Sequence, residues 1–155
     1  MHGFSEKDCE FMRLALEEAK KAYEEDEVPV GAVVVSPEGE VIGRGRNRMI
    51  QLLDPTAHAE ILALREAAKA LGNYRLIGCR IYVTLEPCAM CAYAMVLARV
   101  EEVIFAASDP KTGACGSVLN LLNYKTFNHR IKVRSGLFQK EAAGLLKKFF
   151  LQKRH

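Results

Sequence analysis

Asp54-Pro55-Thr56-Ala57-His58-Ala59-Glu60 and Thr84-Leu85-Glu86-Pro87-Cys88-Ala89-Met90-Cys91 decide how the rest of this chain reads. One imidazole, His58, and two thiols separated by two residues, Cys88 and Cys91, supply three ligands of a tetrahedral zinc site and leave the fourth position for water. An open position marks a catalytic site. Zinc lowers the pKa of water to about 7, and a carboxylate beside the metal but outside its ligand set then carries protons to and from the reacting group. Glu60 is that carboxylate. The rival reading, a structural zinc module, calls for four protein ligands, and no fourth Cys or His stands close to the motif.

The spacing constrains local structure. Residues i and i+2 of a regular helix point about 200° apart, so His58 and Glu60 face one metal only where a helix begins. Pro55 and Thr56 place a helix start there. The helix then runs to about Leu71, with Ile61, Leu64, Ala68 and Leu71 as its buried stripe and Gly72 beyond its end. Arg80 to Leu85 is rich in β-branched and aromatic residues and reads as a strand. Pro87 suits the first position of the next helix, which puts Cys88 and Cys91 in its opening turns; Ala92 to Ala98 is apolar nearly all round, as in a buried helix.

Upstream, Ser5 and Asp8 form a capping box, and Met12, Ala15, Leu16, Ala19, Ala22 and Tyr23 recur at helical spacing. Glu24-Glu25-Asp26-Glu27 ends that helix against its macrodipole, for which local sequence offers no reason. Val28 to Val35 is apolar on both alternations, Ser36-Pro37-Glu38-Gly39 is a turn, and Val41-Ile42-Gly43 opens a return strand. Arg44 to Pro55 is expected to leave the sheet. Gly31, Gly43 and Gly45 mark either close approach of another backbone or of a ligand, or simple strand irregularity, and Asn47 is either a turn former or an amide for a heterocycle or ribose edge.

Downstream, Glu102 to Ala107 is a strand, Ser108 to Gly116 a loop at its C-terminal end, where ligands of open α/β sheets collect, and Val118 to Leu122 a short apolar helix. Ile131-Lys132-Val133 is a brief strand. Gly136 then precedes a last helix that packs Ala142, Leu145, Leu146, Phe149 and Phe150. The fold class expected is α/β, a three-layer α/β/α arrangement around a central five-stranded mixed sheet, as a single domain over residues 1–155.

A chain of 155 residues with 50% hydrophobic content has room for a proper core. No apolar run approaches the roughly 18 residues of a membrane span, so no membrane association is expected and the protein reads as cytoplasmic. Five cysteines, an odd number with two at metal spacing, argue against a disulfide scaffold; Cys9, Cys79 and Cys115 read as small buried hydrophobes. Net charge is only +3 but uneven. Residues 1–27 carry 4 basic and 9 acidic side chains, and residues 125–155 carry 9 and 1. A one-signed segment of this kind is either a solvated surface or a match for phosphates.

His-x-Glu with Pro-Cys-x-x-Cys is the signature of zinc deaminases that act on nucleobases. Beyond it, Glu27-Val28-Pro29-Val30-Gly31-Ala32, Lys111-Thr112-Gly113 and Asn128-His129-Arg130 resemble blocks of the bacterial tRNA-specific adenosine deaminases, of the cytidine-deaminase-like superfamily, and the likeness runs along nearly the whole chain. The resemblance implies one Zn2+ per subunit on His58, Cys88 and Cys91, with Glu60 as proton shuttle. It further implies a homodimer that hydrolyses the wobble adenosine of a tRNA anticodon loop to inosine, releasing ammonia. Substrate contacts implied are Asn47, Ala59, Asp109, Lys111, Lys153 and Arg154. Cys115 departs from the family pattern and would put a free thiol near the site, open to oxidation. A deaminase of free guanine or cytidine would share the zinc site but would not need the basic C-terminal segment.

Overall fold

The computed structural model describes residues 3–153. Five strands form one sheet in the order β2-β1-β3-β4-β5: β1 is Gly31–Val35, β2 Val41–Arg46, β3 Arg80–Leu85, β4 Glu102–Ala107 and β5 Lys132–Ser135. β1 is antiparallel to β2 and to β3, whereas β3, β4 and β5 run parallel, so the sheet is mixed. Helices α1 (Glu6–Glu24) and α5 (Gln139–Lys153) cover one face; α3 (Ala59–Leu71) and α4 (Ala89–Ala98) cover the other. This is the three-layer α/β/α arrangement. A four-residue helix, α2 (Met49–Leu52), is added on the way to α3. None of the described helices is long and apolar enough to cross a membrane.

The alternation of β1 explains the two cores. Ala32 and Val34 join Ile81, Val83 and Phe105 beneath α3 and α4, while Val33 and Val35 join Tyr82 and Ile104 beneath α1. The capping box of α1 forms as the sequence suggests, with Asp8 N–H donating to Ser5 Oγ at 3.0 Å and Ser5 N–H to Asp8 Oδ2 at 3.0 Å. Asp8 does more than cap. Tyr82 Oη–H from β3 and the Arg134 guanidinium from β5 both donate to it, at 2.5 and 2.9 Å, tying the helix to two strands.

Four expectations need correction. β2 continues to Arg46 instead of ending at Gly43, because Gly43 and Gly45 present no Cβ to α3. A Cβ on Gly43 would lie 2.2 Å from the Ala63 carbonyl and one on Gly45 2.2 Å from the Ala59 carbonyl, so helix backbone rests directly on strand backbone. Pro87 precedes the cap instead of opening α4, whose N-cap is Cys88. Val118 to Leu122 is no helix: Gly116 N–H donates to Leu119 O and Leu121 N–H to Ala114 O, closing a tight loop with a bridge between Cys115 and Asn120. The last strand begins at Lys132, with Ile131 buried just before it.

The acidic end of α1 also finds its reason. Glu25 pairs with Arg46 (2.7 and 2.9 Å) and Asp26 with Lys153 (2.5 Å), and the buried Glu27 carboxylate accepts from the Ile50 and Gln51 amides of α2. The N-terminal negative and C-terminal positive segments thus lie together across α1 and α5. Arg134, one of the nine C-terminal cations, is occupied by Asp8 and Glu102.

Candidate active site

Two helix N-termini meet at the C-terminal end of β3. His58 is the N-cap of α3, with extended backbone (φ −75°, ψ 153°), and Glu60 lies in that helix's first turn, which resolves the i, i+2 difficulty. Cys88 is the N-cap of α4 and Cys91 sits three residues on. His58 Nδ1 is 3.6 Å from Cys88 Sγ and 3.5 Å from Cys91 Sγ, and the three ligand atoms all fall within 4.8 Å of one another. Zn–S bonds of about 2.3 Å and Zn–N bonds of about 2.05 Å at a tetrahedral angle require N···S separations of about 3.6 Å. The donor set and its spacing therefore fit zinc. Among the described residues no other group of three such side chains is poised for a metal.

The neighbouring caps explain why the ligands are preorganised. With the His58 side chain turned to the thiols, the first amide of α3 is satisfied from outside the helix: Asn47 Oδ1 accepts from Ala59 N–H at 2.8 Å. At the other helix, the Cys88 thiol is pulled down to about 4 by its hydrogen bonds with Cys91 and His58, and the partial positive charge of a helix N-terminus favours a thiolate in the same sense. His58 is raised by its bond to Cys88. Glu60 is only 4% exposed, and burial pushes its carboxyl up to about 7; a cation on the three ligands would oppose that shift.

Asn47, His58, Glu60 and Cys88 line a cavity of about 710 Å³. Val28, Val30, Met49, Leu85, Leu146 and Phe150 give it apolar walls; Asn47, His58, Glu60, Lys111 and Lys153 are among its polar groups. It is of the size and mixed character of small-molecule sites.

Residues 5–107 match the family defined by the cytidine and deoxycytidylate deaminase zinc-binding region. This chain belongs to that family. The deaminase is 51% identical over 145 residues to a tRNA-specific adenosine deaminase of Aquifex aeolicus, covering 94% of this chain and 95% of that one. It is also 51% identical to the protein of the same name from Bacillus subtilis, covering 93% and 89%. A solved structure from work on A-to-I editing by tRNA:A34 deaminases at the wobble position of transfer RNA superposes with a TM-score of 0.85 at 50% identity, over 88% of this chain and 99% of that one. A guanine deaminase from Nitrosomonas europaea is more distant, at 27% identity and a TM-score of 0.75, over 90% and 82%.

In the deaminase, His58, Cys88, Glu60, Asn47, Asp109, Lys111 and Lys153 all border the cavity, and Cys91 lies buried beneath it. Ala59 does not border it. That residue is fully buried, its N–H is taken by Asn47, and its carbonyl lies against Gly45, so it acts as helix backbone behind the wall. The Asp109 carboxylate is occupied locally, accepting from the Lys111 and Thr112 amides at 3.0 and 3.1 Å and the Thr112 hydroxyl at 2.8 Å. Arg154 lies outside the described residues. Met49, Glu86, Leu146 and Phe150 border the cavity without having been singled out for it. Phe150 follows Leu146 by one helical turn, a second apolar stripe on α5 that was the available signal.

Cys115 is buried, with Sγ 3.9 Å from the Pro87 carbonyl, and burial raises its thiol well above the ordinary range. The expected vulnerability to oxidation gives way to an inert, shielded thiol.

Proposed function

We propose that this deaminase converts the wobble adenosine of a tRNA anticodon loop to inosine by hydrolysis, releasing ammonia. The observation that carries the reading is identity at about half of all residues, over more than nine-tenths of the chain, to proteins named tRNA-specific adenosine deaminase, in a chain whose three ligand atoms have the spacing zinc requires.

His58 Nδ1, Cys88 Sγ and Cys91 Sγ hold the zinc, and a bound zinc supplies water activated to react near neutral pH. Glu60, buried at the cavity floor beside His58, takes one proton from the attacking water and delivers it to the purine ring, then takes the second from the added hydroxyl and passes it to the departing amine, which leaves as ammonia. Asn47 holds the start of α3 through Oδ1, leaving its amide N–H2 without a partner among the described residues and free to meet the nucleoside. The apolar wall of Val28, Met49 and Phe150 receives the flat face of the base, and Lys111 and Lys153 stand at the rim, where phosphates of a splayed loop would run.

The chain acts as one deaminase domain over residues 1–155, paired as a homodimer. Support for pairing comes from the outer face of α4, where Tyr93 and Leu97 are 44% and 57% exposed and the Tyr93 ring packs against Phe127, which in turn meets the exposed Tyr124. Two zinc thiolates suit the reducing cytoplasm, where tRNA also resides. The test is inosine formation in an anticodon stem-loop bearing adenosine at the wobble position, run beside free adenosine, guanine and cytidine. Turnover of the stem-loop alone supports the reading; turnover of a free base or nucleoside alone overturns it. Sedimentation tests the dimer, and a monomer at micromolar concentration would contradict it.

A further inference from the structure

Glu86 is the least conventional charge near the cavity. It is 2% exposed, follows directly on β3, and pairs with no cation among the described residues. An isolated buried carboxylate is costly unless hydrogen bonds replace its water. Here they come from one loop. Oε1 accepts from Asp109 N–H at 3.0 Å and from the Ser117 hydroxyl, and Oε2 accepts from Cys115 N–H at 3.0 Å and Ser117 N–H at 3.0 Å. A carboxylate offers about four lone-pair sites, so none remains for a substrate or a metal.

The loop is built around this anion. Gly113 packs so closely over it that a Cβ there would lie 2.3 Å from Glu86 Cδ and 2.5 Å from the Asp109 carbonyl. Ala114 N–H donates to the Pro87 carbonyl at 2.9 Å, fastening the loop to the step that leads into Cys88. Asp109, held by Glu86 through its backbone, in turn holds the Lys111 and Thr112 amides, and those residues are the cavity rim. We propose that Glu86 is a positioning residue: it shapes residues 108–117 into one wall of the substrate cavity and so sets substrate affinity, without taking part in metal binding or proton transfer. The substrate half of this inference rests on the function proposed above; the loop half does not.

Glu86→Gln keeps size and shape but turns one acceptor oxygen into a donor that faces N–H groups. In the full-length, zinc-loaded protein, hydrogen exchange at the Asp109, Cys115 and Ser117 amides is expected to accelerate about tenfold or more, with β3 and β4 amides unchanged. KM is expected to rise about tenfold with kcat within about threefold and one zinc per chain retained, measured on whichever of the stem-loop, adenosine or guanine the wild type turns over. Unchanged exchange at the three amides overturns the proposal, as does an unchanged KM with kcat lost together with zinc. Should Glu86→Gln not fold, Ser117→Ala removes a single donor: a severalfold gain in exchange at Cys115 with a raised KM supports the proposal, and wild-type values for both overturn it. A wild type that acts only on a free base would refute the RNA reading, while the exchange comparison still decides the role of Glu86.

Discussion

Gly45→Ala should damage the site from a distance, because the helix that carries His58 and Glu60 rests on that glycine. The new Cβ would lie 2.2 Å from the Ala59 carbonyl and 2.7 Å from the Ala63 amide nitrogen. Both are backbone atoms, so no side chain can swing aside. Reaching even a tight contact of about 3.2 Å requires the start of α3 to retreat by about 1 Å. Overpacking of this kind costs about 1–3 kcal/mol, and at about 2–4 °C per kcal/mol for a chain of this size the melting temperature should fall by about 2–12 °C. Ala59 lies between His58 and Glu60, and a misplacement of about 1 Å costs on the order of 100-fold in rate. Thermal melting followed by circular dichroism and turnover of the zinc-loaded variant measure the two effects. Gly144→Ala is the control: nothing lies within 4 Å of its Cβ in the middle of α5, and it should stabilise by about 0.5–1 kcal/mol without loss of rate. A Gly45→Ala protein that melts within 1 °C of wild type (about 0.3 kcal/mol) and turns over at the wild-type rate would refute the close-packing argument.

Glu60→Ala should retain one zinc per chain by atomic absorption while kcat falls by about 100- to 10,000-fold; near-wild-type turnover would remove Glu60 from proton transfer. Asp8 is buried, and although burial alone would raise its carboxyl, the bonds from Arg134 and Tyr82 bring it down from 3.8 to about 2. A lowered folded-state value means stabilisation that is complete above about pH 4 and lost as pH falls toward 2, worth about 2 kcal/mol. Urea midpoints should therefore show the advantage of wild type over Asp8→Asn shrinking between pH 5 and pH 2, and a pH-independent difference would contradict the linkage. In the zinc-loaded protein, iodoacetamide should label the partly buried Cys9 well before the buried Cys115; mass spectrometry showing Cys115 first would contradict its shielding.

Much of this fold is legible because its signals are local. The capping box at Ser5 and Asp8, the doubly apolar run ending at Val35 and the β-branched strand at Arg80–Leu85 each carry their own period or cap. The metal half-sites are legible for a related reason, since His58 and Glu60 share a metal only at a helix start, where the structure puts them. What escaped reading depends on partners far away in the chain. Arg44–Arg46 stay in the sheet because α3 packs on glycines, which no window around those residues reveals. The acidic end of α1 looks unfavourable until Arg46, Lys153 and the amides of α2 arrive beside it. Val118 to Leu122 has the apolar content of a helix, yet Glu86, 31 residues before Ser117, draws the Cys115 and Ser117 amides to itself and bends the segment into a loop. Leu146 and Phe150 look like core residues by period, and only the docking of α5 turns them toward the cavity.

The most direct test of the account is inosine formation at the wobble position of a transcribed tRNA bearing adenosine there, measured with the protein zinc-loaded, stripped by a chelator, and restored with zinc. Inosine is expected with the loaded protein, none after stripping, and recovery on restoration, with no recovery in a His58→Ala or Cys88→Ala variant. Equal inosine formation by loaded and stripped protein, or none in any state, would contradict it.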